Sequence, residues 1–395
     1  MKNRLTEPQF RHLRMLVLAI ADTYGRKNIA ALKAILPGEA HPANLSLFLR
    51  YNWEPEPLLN IVAYRQLKAL GLKEGDTLYL IIDDTKVRKR GKRMQALSKV
   101  KDPATGRYFF GHTFVTAALY ARGVTIPFRL KTFHSAAWCR KQRKPYRKLT
   151  DLAVACVDEL AGVSPGVKVR VLFDAYYACD KMFDACDRHG FLWHTTLAAN
   201  RNVFIDGTKR KVGKYARWVV SHRGKSVRLG KDHAGTHRRF RAAAFSATLK
   251  GHRPVRVVFS RRKGEKKVVA LATSDLAACA SRIIDHYLYR WNIEVFFKDA
   301  KQLLGLTHYQ CLDVDAVNRH AHLVALAYAL LTHLRLTATG EKGKRNVKRF
   351  VSRDTTRVRQ VDLRNLVLED SFAVLYGKSR HNKSLHKAVS LLLAA

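Results

Sequence analysis

TLYLIIDD, residues 77–84, decides how this chain is read. It is a strongly β-prone run of aromatic and branched apolar residues that closes on two carboxylates. Before it, apolar residues recur at helical spacing through Phe10–Ala21, Ile29–Ile35, Leu45–Leu49 and Leu58–Leu70. Breaks fall at Gly25, Pro37, the Pro42 region and Pro55/Pro57. These patterns predict a helical N-terminal domain over 1–75, compatible with a helix-turn-helix DNA reader and equally with a plain bundle.

After it, Phe109–Tyr120 and Val124–Phe133 read as strands joined by an Arg122-Gly123 turn. A helix over Tyr146–Val163, a strand over Val167–Phe173, a short helix over Cys179–Arg188 and a strand over Phe191–Leu197 follow. That order predicts an α/β core with a mixed sheet over 76–199. Residues 200–275 are short-patterned, basic and strand-like, a β-rich insertion. A helix over 278–304 and an apolar helix over Val314–Leu336 complete the core across 276–338. A basic C-terminal region over 339–395 carries Lys342, Lys344, Arg345, Lys348, Arg349, Arg353, Arg357 and Arg359.

Lys and Arg number 73 against 31 Asp and Glu, a formal charge of +42. Self-repulsion at that level calls for a polyanionic partner, nucleic acid before membrane. The longest apolar stretch, Ala321–Leu334, is too short to span a bilayer and contains His322 and His333. The run near Leu13–Ile20 lacks the features of a signal peptide. The six cysteines are dispersed with no C-x-x-C pair, which argues against a zinc finger or a disulfide framework. The expectation is a cytosolic protein that works on nucleic acid and has no membrane role.

The second informative stretch is YLYRWNIEVFFKDAK, residues 287–301. On one helix, Tyr287, Arg290, Glu294 and Lys301 would share a stripe about 60° wide. A phenol, a guanidinium, a carboxylate and an ammonium on one face suit a grip on a phosphodiester beside a metal. The plain alternative is a solvated face with an Arg290–Glu294 pair, worth a few tenths of a kcal/mol. Asp83 and Asp84 end the first predicted strand and Asp174 ends the fourth, in VLFDAYY. Each alone could be a turn or capping residue. Together with Glu294 they are hard oxygen ligands that can hold two Mg²⁺ ions about 3.5–4 Å apart for in-line displacement at phosphorus.

IIDDTK, VLFDAYY and YLYRWNIEVFFKDAKQLLGL, in this order, resemble the DDE transposases of bacterial insertion sequences, in the subgroup with a Tyr-Arg-Glu-Lys (YREK) signature. The resemblance covers roughly residues 76–310. It implies a ribonuclease-H-like fold with a β-rich insertion before the last catalytic helix, and Asp84, Asp174 and Glu294 as catalytic metal ligands. Asp83 is the fallback for Asp84, since adjacent strand residues face opposite sides and only one can face the site. It also implies two Mg²⁺ per site, with Mn²⁺ as a substitute, and phosphate contacts from Tyr287, Arg290 and Lys301. Tyr287 could instead pack as a core aromatic.

The basic runs add Lys89, Arg90, Arg143 and Lys144 as candidate DNA-backbone contacts. Trp218, in YARWVV, could stack on an unpaired base or be an ordinary strand aromatic. His112 and His134 read as structural. The expected function is a transposase that binds terminal inverted repeats as a homodimer in a synaptic complex, then cuts and joins double-stranded DNA in the bacterial nucleoid. The rivals are a DDE-type nuclease without strand transfer and a non-catalytic basic nucleic-acid-binding protein.

Overall fold

Thr6 opens the first helix, its side chain accepting from the Gln9 backbone while the Gln9 side chain returns to the Thr6 backbone. The structure is a computed structural model and describes residues 5–34, 36, 42–91, 93–102, 105–160, 166–231, 235–250, 253–338 and 355–364. Of the basic C-terminal residues named above, all but Arg357 and Arg359 lie outside these ranges.

Four helices come first: α1 (Glu7–Asp22), α2 (Ile29–Lys33), α3 (Pro42–Arg50) and α4 (Pro55–Leu70). Pro55, a break by sequence, is instead the first residue of α4, where its missing N–H costs nothing. Gly71 ends that helix in the left-handed region at φ 56°.

The sheet then begins with β1 (Thr77–Arg88), β2 (Ser98–Lys101), β3 (Tyr108–Ala121) and β4 (Val124–Thr132). The chain continues through α5 (Ala136–Lys141), α6 (Leu149–Asp158), β5 (Lys168–Phe173), α7 (Asp180–Arg188) and β6 (Leu192–Thr196). Arg122 and Gly123 both take positive φ, 48° and 79°, as a tight β3–β4 hairpin turn requires. The next stretch contains β7 (Asn202–Ile205), β8 (Thr208–Lys211), α8 (Val212–His222), β9 (Lys225–Lys231), β10 (His237–Thr248), β11 (Pro254–Arg262) and β12 (Val269–Thr273). Last come α9 (Ala280–Leu288), α10 (Trp291–Gln302) and α11 (Val314–Ala338).

The result is a mixed α/β architecture. Strands run β4-β3-β1-β5-β6-β12-β11-β10, with β3 antiparallel to β1 and β5 and β6 parallel to it. Strand alternation splits the core. Tyr79, Ile81 and Val87 pack with α1, α10 and α11, while Leu78, Leu80 and Ile82 pack with α6 and α7. The N-terminal helices therefore share a core with the sheet and with α11. Among the described residues, no helix is long and apolar enough to cross a membrane.

Three local expectations are corrected. β1 does not end at its acids but runs on to Arg88, because β3 pairs with it from Tyr79 to Arg88. The YARWVV stretch is helical, since Val212, Ala216, Val219 and Val220 recur at helical spacing and are all buried. The helix expected over 278–304 is two helices, α9 and α10. Between them Tyr289, Arg290, Asn292 and Ile293 donate to carbonyls three residues back, and the Asn292 side chain also claims the Tyr289 carbonyl at 2.8 Å.

Candidate active site

The last β1–β5 pair is Ile81 with Leu172, so among the described residues β1 beyond Ile81 has no strand on its β5 side. The acids gather at this open edge. Asp174 immediately follows β5. Its Oδ1 accepts the Tyr176 N–H at 2.9 Å and its carbonyl accepts the Thr195 hydroxyl at 3.1 Å. Those bonds pin the turn to β6.

Asp83 and Asp84 point to opposite sides, and their partners differ accordingly. Asp83 Oδ2 accepts from Arg290 at 2.7 Å, and the other amino group of Arg290 donates to Glu294 Oε1. One guanidinium thus joins a strand carboxylate to a helix carboxylate. The Arg290–Glu294 half is the four-residue pair expected of a solvated face, but both residues lie against the sheet edge, with side-chain exposures of 18% and 31%. Asp84 accepts the Tyr177 hydroxyl at 3.0 Å on one oxygen, and its other oxygen lies 3.5 Å from the Lys86 ammonium. The structure therefore joins Asp83, and not Asp84, to Glu294 through Arg290.

Charge follows this layout. Burial pushes the Asp83 carboxyl up to about 6, with Asp174 and Asp84 adding to the rise and Arg290 opposing it. Burial works against the Arg290 charge, but Tyr287, Asp83 and Glu294 more than compensate, so the guanidinium is held more firmly than in water. Burial raises the Tyr177 hydroxyl, helped by Asp84, so it stays a proton donor to that carboxylate.

The remaining sequence candidates separate. Tyr287 ends up mostly enclosed, its hydroxyl raised chiefly by burial against the opposing influence of Arg290, which lies 5.9 Å from its ring centre. Burial lowers the Lys301 ammonium, with Lys86 adding to the fall and Asp84 opposing it. Arg90, Arg143 and Lys144 are exposed. Lys89 is engaged inside the protein: its ammonium donates to the Thr307 and Tyr309 carbonyls at 2.9 and 2.7 Å and sits 3.4 Å from the Tyr309 ring centre. A phosphate contact by Lys89, expected from the sequence, would have to displace these bonds. Trp218 is 45% exposed on α8, stacked by Tyr215 and His222, so its ring already has neighbours. His112 is buried, with both ring nitrogens bonded, to the Tyr309 hydroxyl and the Gln95 carbonyl.

Sequence reasoning passed over Tyr177, whose signal was its place just beyond Asp174. It also passed over Trp291, 64% exposed on the outer face of α10 beside Arg290.

A family model described as DDE superfamily endonuclease matches residues 1–252. That span holds Asp83, Asp84 and Asp174 and ends before Glu294. No curated protein gives a significant match. With the match covering 252 of 395 residues, the chain belongs to the DDE superfamily endonucleases.

Proposed function

We propose that this endonuclease is a transposase of the YREK subgroup, with Asp83, Asp174 and Glu294 as its acidic triad. The observation that carries this is Arg290 bridging Asp83 and Glu294 beside the end of the strand that bears Asp174. The order β4-β3-β1-β5-β6, with β3 antiparallel, favours a ribonuclease-H-like core. β7 to β12 would be its insertion, and the N-terminal helices its DNA-binding domain.

The donors suit Mg²⁺, being hard carboxylate oxygens of which two already share a cation, the Arg290 guanidinium. As they stand, no three His, Cys, Asp or Glu side chains converge on a metal position among the described residues. Asp83, Asp174 and Glu294 would hold the ions once Arg290 releases its carboxylates. When bound, Mg²⁺ polarises the reacting oxygens and neutralises charge at phosphorus.

The chain's own residues do the rest. Arg290, freed from Asp83 and Glu294, offers a bidentate fork to a phosphate. Lys86, 3.5 Å from Asp84, and Lys301, whose charge feels both groups, would meet the phosphates of the cleaved strand. Tyr177 holds the Asp84 carboxylate and keeps it oriented. In cleavage, water attacks phosphorus at the element's end and the 3′-hydroxyl leaves. In strand transfer that hydroxyl attacks a target phosphate and a target 3′-oxygen leaves. Synapsis of two terminal repeats calls for a homodimer on DNA.

The test uses the full chain with end-containing duplex and supercoiled plasmid. Asp174→Asn and Glu294→Gln should abolish Mg²⁺-dependent cleavage and leave DNA binding intact. Normal cutting by either variant would refute the triad. Cleavage without joined plasmid products would reduce the reading to a nuclease.

A further inference from the structure

The hairpin of β2 and β3 projects past the end of β1, and nothing in the catalytic reading uses it. Tyr108 and Phe110 lie two residues apart on one face of β3 and are 59% and 58% exposed. Their cross-strand partners are Lys101 and Lys99, which share that face and are also exposed. The Lys99 ammonium lies 4.9 Å from the Tyr108 ring centre. The opposite face of the hairpin is different: Val100 is buried, and Phe109 is half-buried with Arg88 near its ring. Two aromatic rings interleaved with two lysines are thus turned deliberately outward.

We propose that this face binds an unpaired stretch of DNA, with bases on Tyr108 and Phe110 and phosphates on Lys99 and Lys101. The inference rests on DNA being the partner of this chain. Exposed rings favour single strands, because in a duplex each base face is covered by its neighbours and only edges and backbone are offered. Residues two apart on a strand sit about 6.8 Å apart. That is about twice the 3.4 Å step of stacked bases, which leaves room for one base between the rings. A second copy of the chain adding to the β2 edge is disfavoured, since Lys99 and Lys101 guard it. The position fits the site. Lys89, just past the end of β1 and six residues from Asp83, donates its N–H to the Phe110 carbonyl. That is about 20 Å from the acids, so strand unpaired near the cut can reach the hairpin.

The experiment measures binding of the full chain, in EDTA, to a fluorescent oligo(dT) and to a duplex of equal length. The Tyr108→Ala/Phe110→Ala variant, checked by circular dichroism and melting, should bind oligo(dT) about 10- to 100-fold more weakly, from the measured range for base–aromatic stacking. Its duplex affinity should stay within about twofold, since stacking is not used there. The Lys99→Ala/Lys101→Ala variant should weaken oligo(dT) binding and flatten its salt slope by about 1.4. Unchanged oligo(dT) binding by the folded aromatic variant, or equal losses on both DNAs, would overturn the inference. A wild-type chain that binds duplex but no oligo(dT) also overturns it, leaving the DNA reading standing. Binding to neither would sink both.

Discussion

Arg290 ties Asp83 of β1 to Glu294 of α10, donating to Asp83 at 2.7 Å and to Glu294 through its other amino group. The guanidinium is the counter-ion of both carboxylates. Without metal, Arg290→Met should therefore cost about 1–2 kcal/mol of stability, less than a fully buried pair because the site keeps some solvent. Mg²⁺ should raise the melting temperature of Arg290→Met more than that of wild type. Urea and thermal unfolding with and without EDTA check both points, and equal stabilities would show that the bridge carries no weight.

The two adjacent acids should not be equivalent. Several kcal/mol of charge stabilisation depend on a metal ligand, so Asp83→Asn should slow cleavage about 10³-fold or more. Asp84→Asn, which leaves the Arg290 bridge intact, should cost no more than about tenfold, or 1.4 kcal/mol. Single-turnover cleavage of the two variants decides between them. The reverse ranking would return the ligand role to Asp84.

Lys89 makes a prediction opposite to that of a DNA contact. Its ammonium serves two carbonyls of the 307–309 loop, and burial lowers its pKa to about 8. Lys89→Ala should lose about 1.5–3 kcal/mol of stability. DNA affinity and its salt slope should stay unchanged. A fall in salt slope with stability intact would restore the phosphate role.

Gly111 lies where β1 and β3 approach too closely for a side chain: a Cβ there would stand 2.4 Å from the Val87 carbonyl oxygen. Gly111→Ala must push backbone against backbone, and should cost about 1–3 kcal/mol. Chemical denaturation of this variant is the check, and wild-type stability would mean the strands can part freely.

Buried histidines set an acid limit. Burial lowers His320 to about 4, although its bond to the Gly305 carbonyl opposes this, and lowers His286 to about 4, aided by Arg170. Both are neutral in the folded chain and take up protons on unfolding. Their contribution is fully present above about 6.5, the ordinary histidine value, and is lost as pH falls toward 4. His320→Asn should therefore show a melting temperature that falls less steeply than that of wild type between those pH values. Parallel curves would rule out the assignment.

Most of the strands and the acids were legible in the sequence, because both announce themselves locally. TLYLIIDD and VLFDAYY carry their β propensity and their carboxylates in the same few residues. What could not be read is what depends on tertiary pairing. The β1–β3 ladder carries β1 past its acids, and the face on which Arg290 arrives decides which of them meets Glu294. Lys89 looked like part of a basic surface run because its acceptors, two loop carbonyls, lie more than two hundred residues away. The adjacent valines of YARWVV favoured a strand by propensity, and burial of one helical face overrode them.

The edge of β1 beyond Ile81, without a strand on its β5 side among the described residues, has one more consequence. Unpaired strand edges invite other chains to add to the sheet, and charges placed along them are a common defence. Asp83 and Asp84 stand at that edge and Asp174 follows β5, so the residues that would perform chemistry would also discourage a second chain from adding to the sheet. Amide variants made to silence the enzyme remove part of that guard, and their solubility in concentrated, metal-free solution should fall before their fold does.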